Sequence, residues 1–197
     1  MSSAEHTRRD FLYIATGAIG AVGAAAALVP LIAQMNPDAS TIAAGAPVEI
    51  DLAPIAEGQI VKVFWRSKPI FIFHRSKKEI DEAQKVDVNS LPDPEPDSER
   101  VKKGHDQWLV VIGICTHLGC IPEFFPDPNA QTPAAGWLGG YFCPCHGSKY
   151  DLAGRVFSGV PAPYNLPVPP YRLINNTIRI GENPPKVTWE FDSIAQI

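Results

Sequence analysis

Residues 11 to 37 carry no charged side chain, and from Phe11 to Ala33 every position except Thr16 is apolar or small. At ~1.5 Å per residue such a run makes a helix of ~35 Å, long enough for a ~30 Å hydrocarbon core. The apolar core of a cleaved signal peptide is shorter, about 7–15 residues, so the run reads as a retained transmembrane helix over residues 11–35. Gly17, Ala21 and Ala25 recur every four residues and offer a small face for another helix. Arg8 and Arg9 precede the run and no Lys or Arg follows before Lys62. The positive-inside rule then puts the N-terminus in the cytoplasm and the rest of the chain outside it.

The pattern changes after Met35. Residues 36–47 are small, mostly uncharged and without apolar periodicity, which predicts a linker, either an inert spacer or a flexible hinge. Pro37 is read as ending the helix and Pro47 as standing ahead of the first strand. A head follows over residues 48–197. Val48 to Leu52, Gln59 to Trp65 and Pro69 to His74 are β-rich runs separated by turn residues. Ser76 followed by Glu79 predicts a capping box and a short helix to about Gln84. Residues 87–106 are polar and proline-bearing and predict a surface loop. Gln107 to Ile114 is the strongest strand candidate. Arg155 to Ser158, Tyr171 to Ile174, Thr177 to Ile180 and Lys186 to Phe191 are further short strands. Twenty prolines and 15 glycines fit a loop-rich all-β domain better than a helical bundle. A formal net charge of −4 supplies no basic field for nucleic acid.

The candidate chemistry is concentrated in two boxes. Gln107 to Ile114 leads into Cys115-Thr116-His117-Leu118-Gly119-Cys120, and a second box reads Cys143-Pro144-Cys145-His146-Gly147-Ser148. All four cysteines are here, with one histidine in each box. Thiolates and imidazoles are strong protein ligands for iron and zinc. Cys115 and His117, two apart, and Cys143 and His146, three apart, form a candidate ligand set. A structural Cys2His2 zinc site in an interaction module has the same composition, although it leaves Cys120 and Cys145 without a role.

The pair of boxes resembles the Rieske iron–sulfur proteins of quinol-oxidising complexes. That resemblance implies an antiparallel β-sandwich head with a cluster-binding part at about 110–165. It implies one 2Fe-2S cluster per chain, with Cys115 and Cys143 on one iron and His117 and His146 on the other. It also implies a Cys120–Cys145 disulfide joining the loops. Ser148 and Tyr150 would donate hydrogen bonds to cluster sulfur and to a ligand cysteine. Imidazole in place of thiolate removes negative charge and raises the potential above that of an all-Cys ferredoxin. Gly159-Val160-Pro161-Ala162-Pro163 is similar to the loop that covers the cluster in the family, with Val160 as an insertion. Residues 121–142 are assigned no chemistry.

Two further stretches extend the resemblance. Residues 1–10, with Thr7-Arg8-Arg9-Asp10 before Phe11-Leu12, resemble a twin-arginine export signal, which serves proteins that are already folded. Residues 93–103 resemble the segment before the cluster strand in bacterial bc1-type subunits. The implied activity is oxidation of ubiquinol at the outer face of the cytoplasmic membrane, with the head in the periplasm. The implied catalytic histidines are His146 and His117, and Leu118 and Gly119 would dock on cytochrome b. The implied partners are cytochrome b, cytochrome c1 and membrane lipid, within a dimeric complex. A b6f-type complex, arsenite oxidase and ring-hydroxylating oxygenases are the related alternatives.

Overall fold

The computed structural model describes residues 7–125, 137 and 139–182. The expected strand from Lys186 to Phe191 and most of 121–142 lie outside the described residues. The chain divides after Ala43 into two compact units.

The first unit is built on helix α1 (Arg8–Ala33), which is 26 residues long with no buried residue and is apolar enough to cross a membrane. It starts earlier than the charge-free run because Thr7 and Asp10 form a capping box. Thr7 Oγ1 accepts from Asp10 N at 3.3 Å, and Asp10 Oδ2 accepts from Thr7 N at 2.9 Å. Arg8 and Arg9 therefore belong to its first turn. The stretch expected to be an unstructured linker contains a second short helix, α2 (Ala39–Ala44). Its cause is Asp38, whose carboxylate accepts from Thr41 N at 2.7 Å and from Ser40 Oγ at 2.9 Å. The same bonds, that from the Thr41 N–H first, hold the Asp38 carboxyl below the usual carboxylate range.

Among the described residues, the second unit holds three antiparallel three-stranded sheets. One has the order β1 (Val48–Asp51), β9 (Thr177–Ile180), β8 (Tyr171–Ile174). The central one joins β2 (Ile60–Trp65), β3 (Lys68–His74) and β4 (Trp108–Ile112). The third joins β5 (Glu123–Phe125), β6 (Gly140–Phe142) and β7 (Lys149–Tyr150). Alternate side chains of a strand point to opposite faces. Accordingly, Ile70, Ile72, Val110 and Ile112 pack with Tyr171, Ile178 and Ile180. Phe71, Phe73, Leu109 and Val111 pack with Tyr141, Tyr150, Cys115 and Cys143. Strands β3 and β4 are buried on both faces. That is why β3 and β4 read as continuous apolar runs rather than as alternating ones.

The expected helix after Ser76 is α3 (Lys77–Lys85), with the capping box formed: Ser76 Oγ accepts from Glu79 N at 3.3 Å and Glu79 Oε2 accepts from Ser76 N at 2.6 Å. Residues 87–106 differ from the surface loop their composition predicts. They contain a 3-10 turn (Val88–Ser90) and helix α4 (Asp97–Arg100), and Asp97 and Arg100 are buried. Ion pairing is the reason. Arg75 meets Asp97 at 2.6 Å, and Arg100 meets Glu95 at 2.5 Å while donating to the carbonyls of Ala153 and Leu166. A charge is tolerated in a protein interior when it is paired and hydrogen-bonded. Arg155 is buried in the same way, against Asp151 at 2.6 Å and the Ala83 carbonyl. The strand expected over Arg155 to Ser158 is absent. Only an isolated bridge between Tyr150 and Val156 forms there, because the Val156 N–H is taken by the Asn165 side chain.

Candidate metal centre

β4 delivers the chain through Gly113 and Ile114 to the first box, and β6 delivers it directly to the second. Gly113 is required at this exit, since a Cβ there would stand 2.5 Å from the Phe71 ring. Gly140 has φ +126°, and a Cβ on it would meet the Tyr150 carbonyl oxygen at 2.1 Å. Glycine alone lets β6 approach β7 and so brings Cys143 and Tyr150 into one layer.

The two boxes are built on one plan. In the first, Cys115 N donates to Cys120 O at 2.7 Å and Gly119 N donates to Cys115 O at 3.0 Å. In the second, Cys143 N donates to Ser148 O at 2.8 Å and Gly147 N donates to Cys143 O at 2.9 Å. The fifth residue of each box is glycine with positive φ, +84° at Gly119 and +79° at Gly147. Each loop therefore turns back through a left-handed position that a Cβ would strain. Gly119, singled out in the sequence for docking, has this backbone role.

The structure brings the sequence candidates together. Cys115 and Cys143 are free and buried. Burial, and then the neighbouring Cys115 thiol to which it hydrogen-bonds, push the Cys143 thiol up from its ordinary value. The His117 and His146 rings lie 4.8 Å apart between centroids at an interplanar angle of 87°. His146 is exposed and His117 half-buried. Cys120 and Cys145 form a disulfide across the loops. The sulfurs of Cys120, Cys143 and Cys145 lie within 4.8 Å of one another, but two of the three are spent in that bond, so this trio is not a ligand set. Leu118 is 70% exposed at the tip.

Residues beneath the boxes are hydrogen-bonded to them. Tyr150 Oη donates to Cys115 Sγ at 3.3 Å, and burial followed by this bond pushes the phenol well above its usual range. Ser148 Oγ accepts from Ala162 N at 3.1 Å, so its own hydrogen is left for another acceptor. Thr116 was not singled out in the sequence. It donates from Oγ1 to the Tyr164 carbonyl at 2.7 Å and from its N–H to Tyr150 Oη at 3.2 Å. The 159–163 loop is thus tied to the second box through Ala162, and the next residue, Tyr164, to the first, in spite of the inserted Val160.

This donor set fits a metal centre. It offers two buried thiols and two imidazoles on adjoining loops. His117 Nδ1 is buried with no hydrogen-bond partner, the state of a ligand nitrogen whose partner is a metal. The remaining choice between zinc and an iron–sulfur cluster is decided by likeness. The family described as "Rieske [2Fe-2S] domain" matches residues 53–171. The family described as "Ubiquitinol-cytochrome C reductase Fe-S subunit TAT signal" matches residues 1–38.

The chain belongs to the Rieske iron–sulfur family.

Its cofactor is a Rieske 2Fe-2S cluster. The ubiquinol-cytochrome c reductase iron-sulfur subunit of Bradyrhizobium diazoefficiens is 66% identical over 182 residues, 91% of this chain and 98% of that protein. The subunit of the same name from Blastochloris viridis is 61% identical over 180 residues, 91% of this chain and 95% of that one. A chain of the solved "Hyperthermophilic respiratory Complex III" is 31% identical, covers 84% of this chain and 98% of itself, and superposes with a TM-score of 0.50. This Rieske chain is therefore of the oxidoreductase branch that the bacterial bc1-type subunits represent.

Proposed function

We propose that the chain is the electron-transfer subunit of a ubiquinol–cytochrome c reductase, anchored by α1 with its N-terminus in the cytoplasm and its head in the periplasm. The carrying observation is the convergence of Cys115, Cys143, His117 and His146 on two loops of matched geometry. Those four residues would hold the cluster, with Ser148 and Tyr150 donating toward its sulfur environment. When bound, the cluster supplies one-electron redox chemistry at a potential raised by its two neutral imidazole ligands.

The chain's own residues would perform the remaining steps. His146 is the more exposed of the two imidazoles. With one ring nitrogen holding the metal, the other would be left to take the hydroxyl proton of a quinol. Imidazole suits this role because its charge changes near neutral pH. Leu118, apolar and largely exposed beside it, would seat the tip against cytochrome b and exclude water. Cytochrome c1 would receive the electron, with residues 36–47 allowing the head to move between the two partners. The capped α2 within that stretch makes the proposed hinge two short flexible pieces about a rigid turn.

The test is a membrane preparation from a strain carrying His146→Leu beside wild type. Reduced wild-type membranes are expected to give a rhombic EPR signal, and the chain is expected to co-purify with b- and c-type haem. His146→Leu is expected to lose the signal and ubiquinol–cytochrome c turnover together. A colourless wild-type protein with stoichiometric zinc, or a variant with both properties intact, overturns the proposal.

A further inference from the structure

Residues 91–97 contain Asp93, Glu95 and Asp97, each directly after a proline. Of the three, Asp97 pairs with Arg75 and Glu95 with Arg100, whereas Asp93 makes no described ion pair. Its carboxylate Oδ2 accepts from the backbone N–H of Asn165 at 2.9 Å. The Asn165 side chain is buried and fully used. Its Oδ1 accepts from Val156 N at 2.9 Å, and its Nδ2 donates to Asp93 O at 3.1 Å and to Glu95 Oε2 at 3.2 Å.

The Asn165 N–H belongs to the same rigid peptide unit as the Tyr164 carbonyl. That carbonyl accepts from Thr116 Oγ1 at 2.7 Å. One peptide plane is therefore bolted at both ends, to Asp93 on one side and to the first ligand box on the other. Beyond Thr116, its N–H reaches Tyr150 Oη at 3.2 Å, and Tyr150 Oη reaches Cys115 Sγ at 3.3 Å. Each link is a directional bond, part-buried at Asp93 and Tyr164 and buried from Thr116 to Cys115. Displacement at Asp93 is then passed along rather than absorbed by solvent.

We propose that Asp93 and Asn165 are positioning residues for the metal centre, acting through the Tyr164–Asn165 peptide, Thr116 and Tyr150 on Cys115. This rests on the Rieske reading of the site. Groups outside the ligand shell that orient ligands tune a metal as surely as the ligands do. Hydrogen bonds to ligand sulfur raise the potential of an iron–sulfur centre, so slackening the tether lowers it.

Asp93 provides a test by sign. Removing its negative charge, acting through space alone, would raise the midpoint potential, because an added electron would be less repelled. Loss of the tether acts in the opposite direction. EPR-monitored redox titration of the membrane-bound complex is expected to show a lower potential for Asp93→Ala. Asp93→Asn keeps an acceptor oxygen for the Asn165 N–H and is expected to restore the potential to the wild-type value or above it. In a Thr116→Val background, where the hydroxyl end of the tether is gone, Asp93→Ala is expected to cause no further fall. Should Asp93→Ala not accumulate, Asp93→Ser, too short to hold the peptide, carries the same expectation. An unchanged or raised potential in Asp93→Ala or Asp93→Ser, or an equal fall with and without Thr116, overturns the proposal. Absence of any rhombic signal in wild type would instead overturn the Rieske reading, so the two failures are distinguishable.

Discussion

Arg66 and Ser67 form the two-residue turn between β2 and β3, with φ of +50° and +61°. Left-handed backbone costs an L-residue about 1–2 kcal/mol, while glycine there costs some extra chain entropy. Ser67→Gly is therefore expected to stabilise the protein by about 0.5–1 kcal/mol, read as a higher calorimetric Tm with the EPR signal unchanged. A lower Tm would mean that the serine hydroxyl does something the backbone does not reveal. At this scale the centre was largely legible. Cys115, His117, Cys143 and His146 stood out because cysteine and histidine occur together nowhere else in the chain. Thr116 did not, because a threonine between two ligands resembles filler until its partner on Tyr164 is known. Gly119 and Gly147 carried a signal that could have been used: each is fifth in its box, the position where both loops enter the left-handed region.

Among the elements, the two ligand loops depend on a covalent tie. Cys120 and Cys145 are 25 residues apart in sequence, and closing a loop of that length restricts the unfolded chain by about 3 kcal/mol. The double variant Cys120→Ser/Cys145→Ser is expected to unfold in calorimetry at a clearly lower temperature than wild type. Equal unfolding temperatures would show that the loops are held by their hydrogen bonds alone. β1, β2, β3, β4, β8 and β9 were each legible as apolar runs bounded by turn residues. β5, β6 and β7 were not. They are only two or three residues long, they lie among glycines and prolines, and their pairing depends on how closely Gly140 approaches Tyr150. α2 was missed because it is only six residues long and its start depends on one carboxylate, Asp38.

The whole head is knitted by three buried arginines, Arg75, Arg100 and Arg155. Composition concealed them, since charged residues between prolines ordinarily lie in solvent, and only the fold brings Asp97, Glu95 and Asp151 to meet them. Removing one partner strands the other charge in the interior, a cost of about 3–5 kcal/mol. Arg75→Met is expected to lower the Tm by many degrees, and loss of both partners in Arg75→Met/Asp97→Leu is expected to recover most of it. Should the double variant be no more stable than the single one, Asp97 is not the group that Arg75 neutralises.

The four sulfurs carry one further implication, concerning time rather than shape. Four cysteines can pair in three ways, and in the folded head Cys120 and Cys145 are joined while Cys115 and Cys143 stay free. An oxidant meeting the empty loops could join those two and leave no anchorage for iron. The chronology of biogenesis is thereby constrained: iron and sulfide have to enter while Cys115 and Cys143 are still reduced, whenever the Cys120–Cys145 bridge closes. A cell that oxidised that pair first would accumulate heads that never turn red-brown.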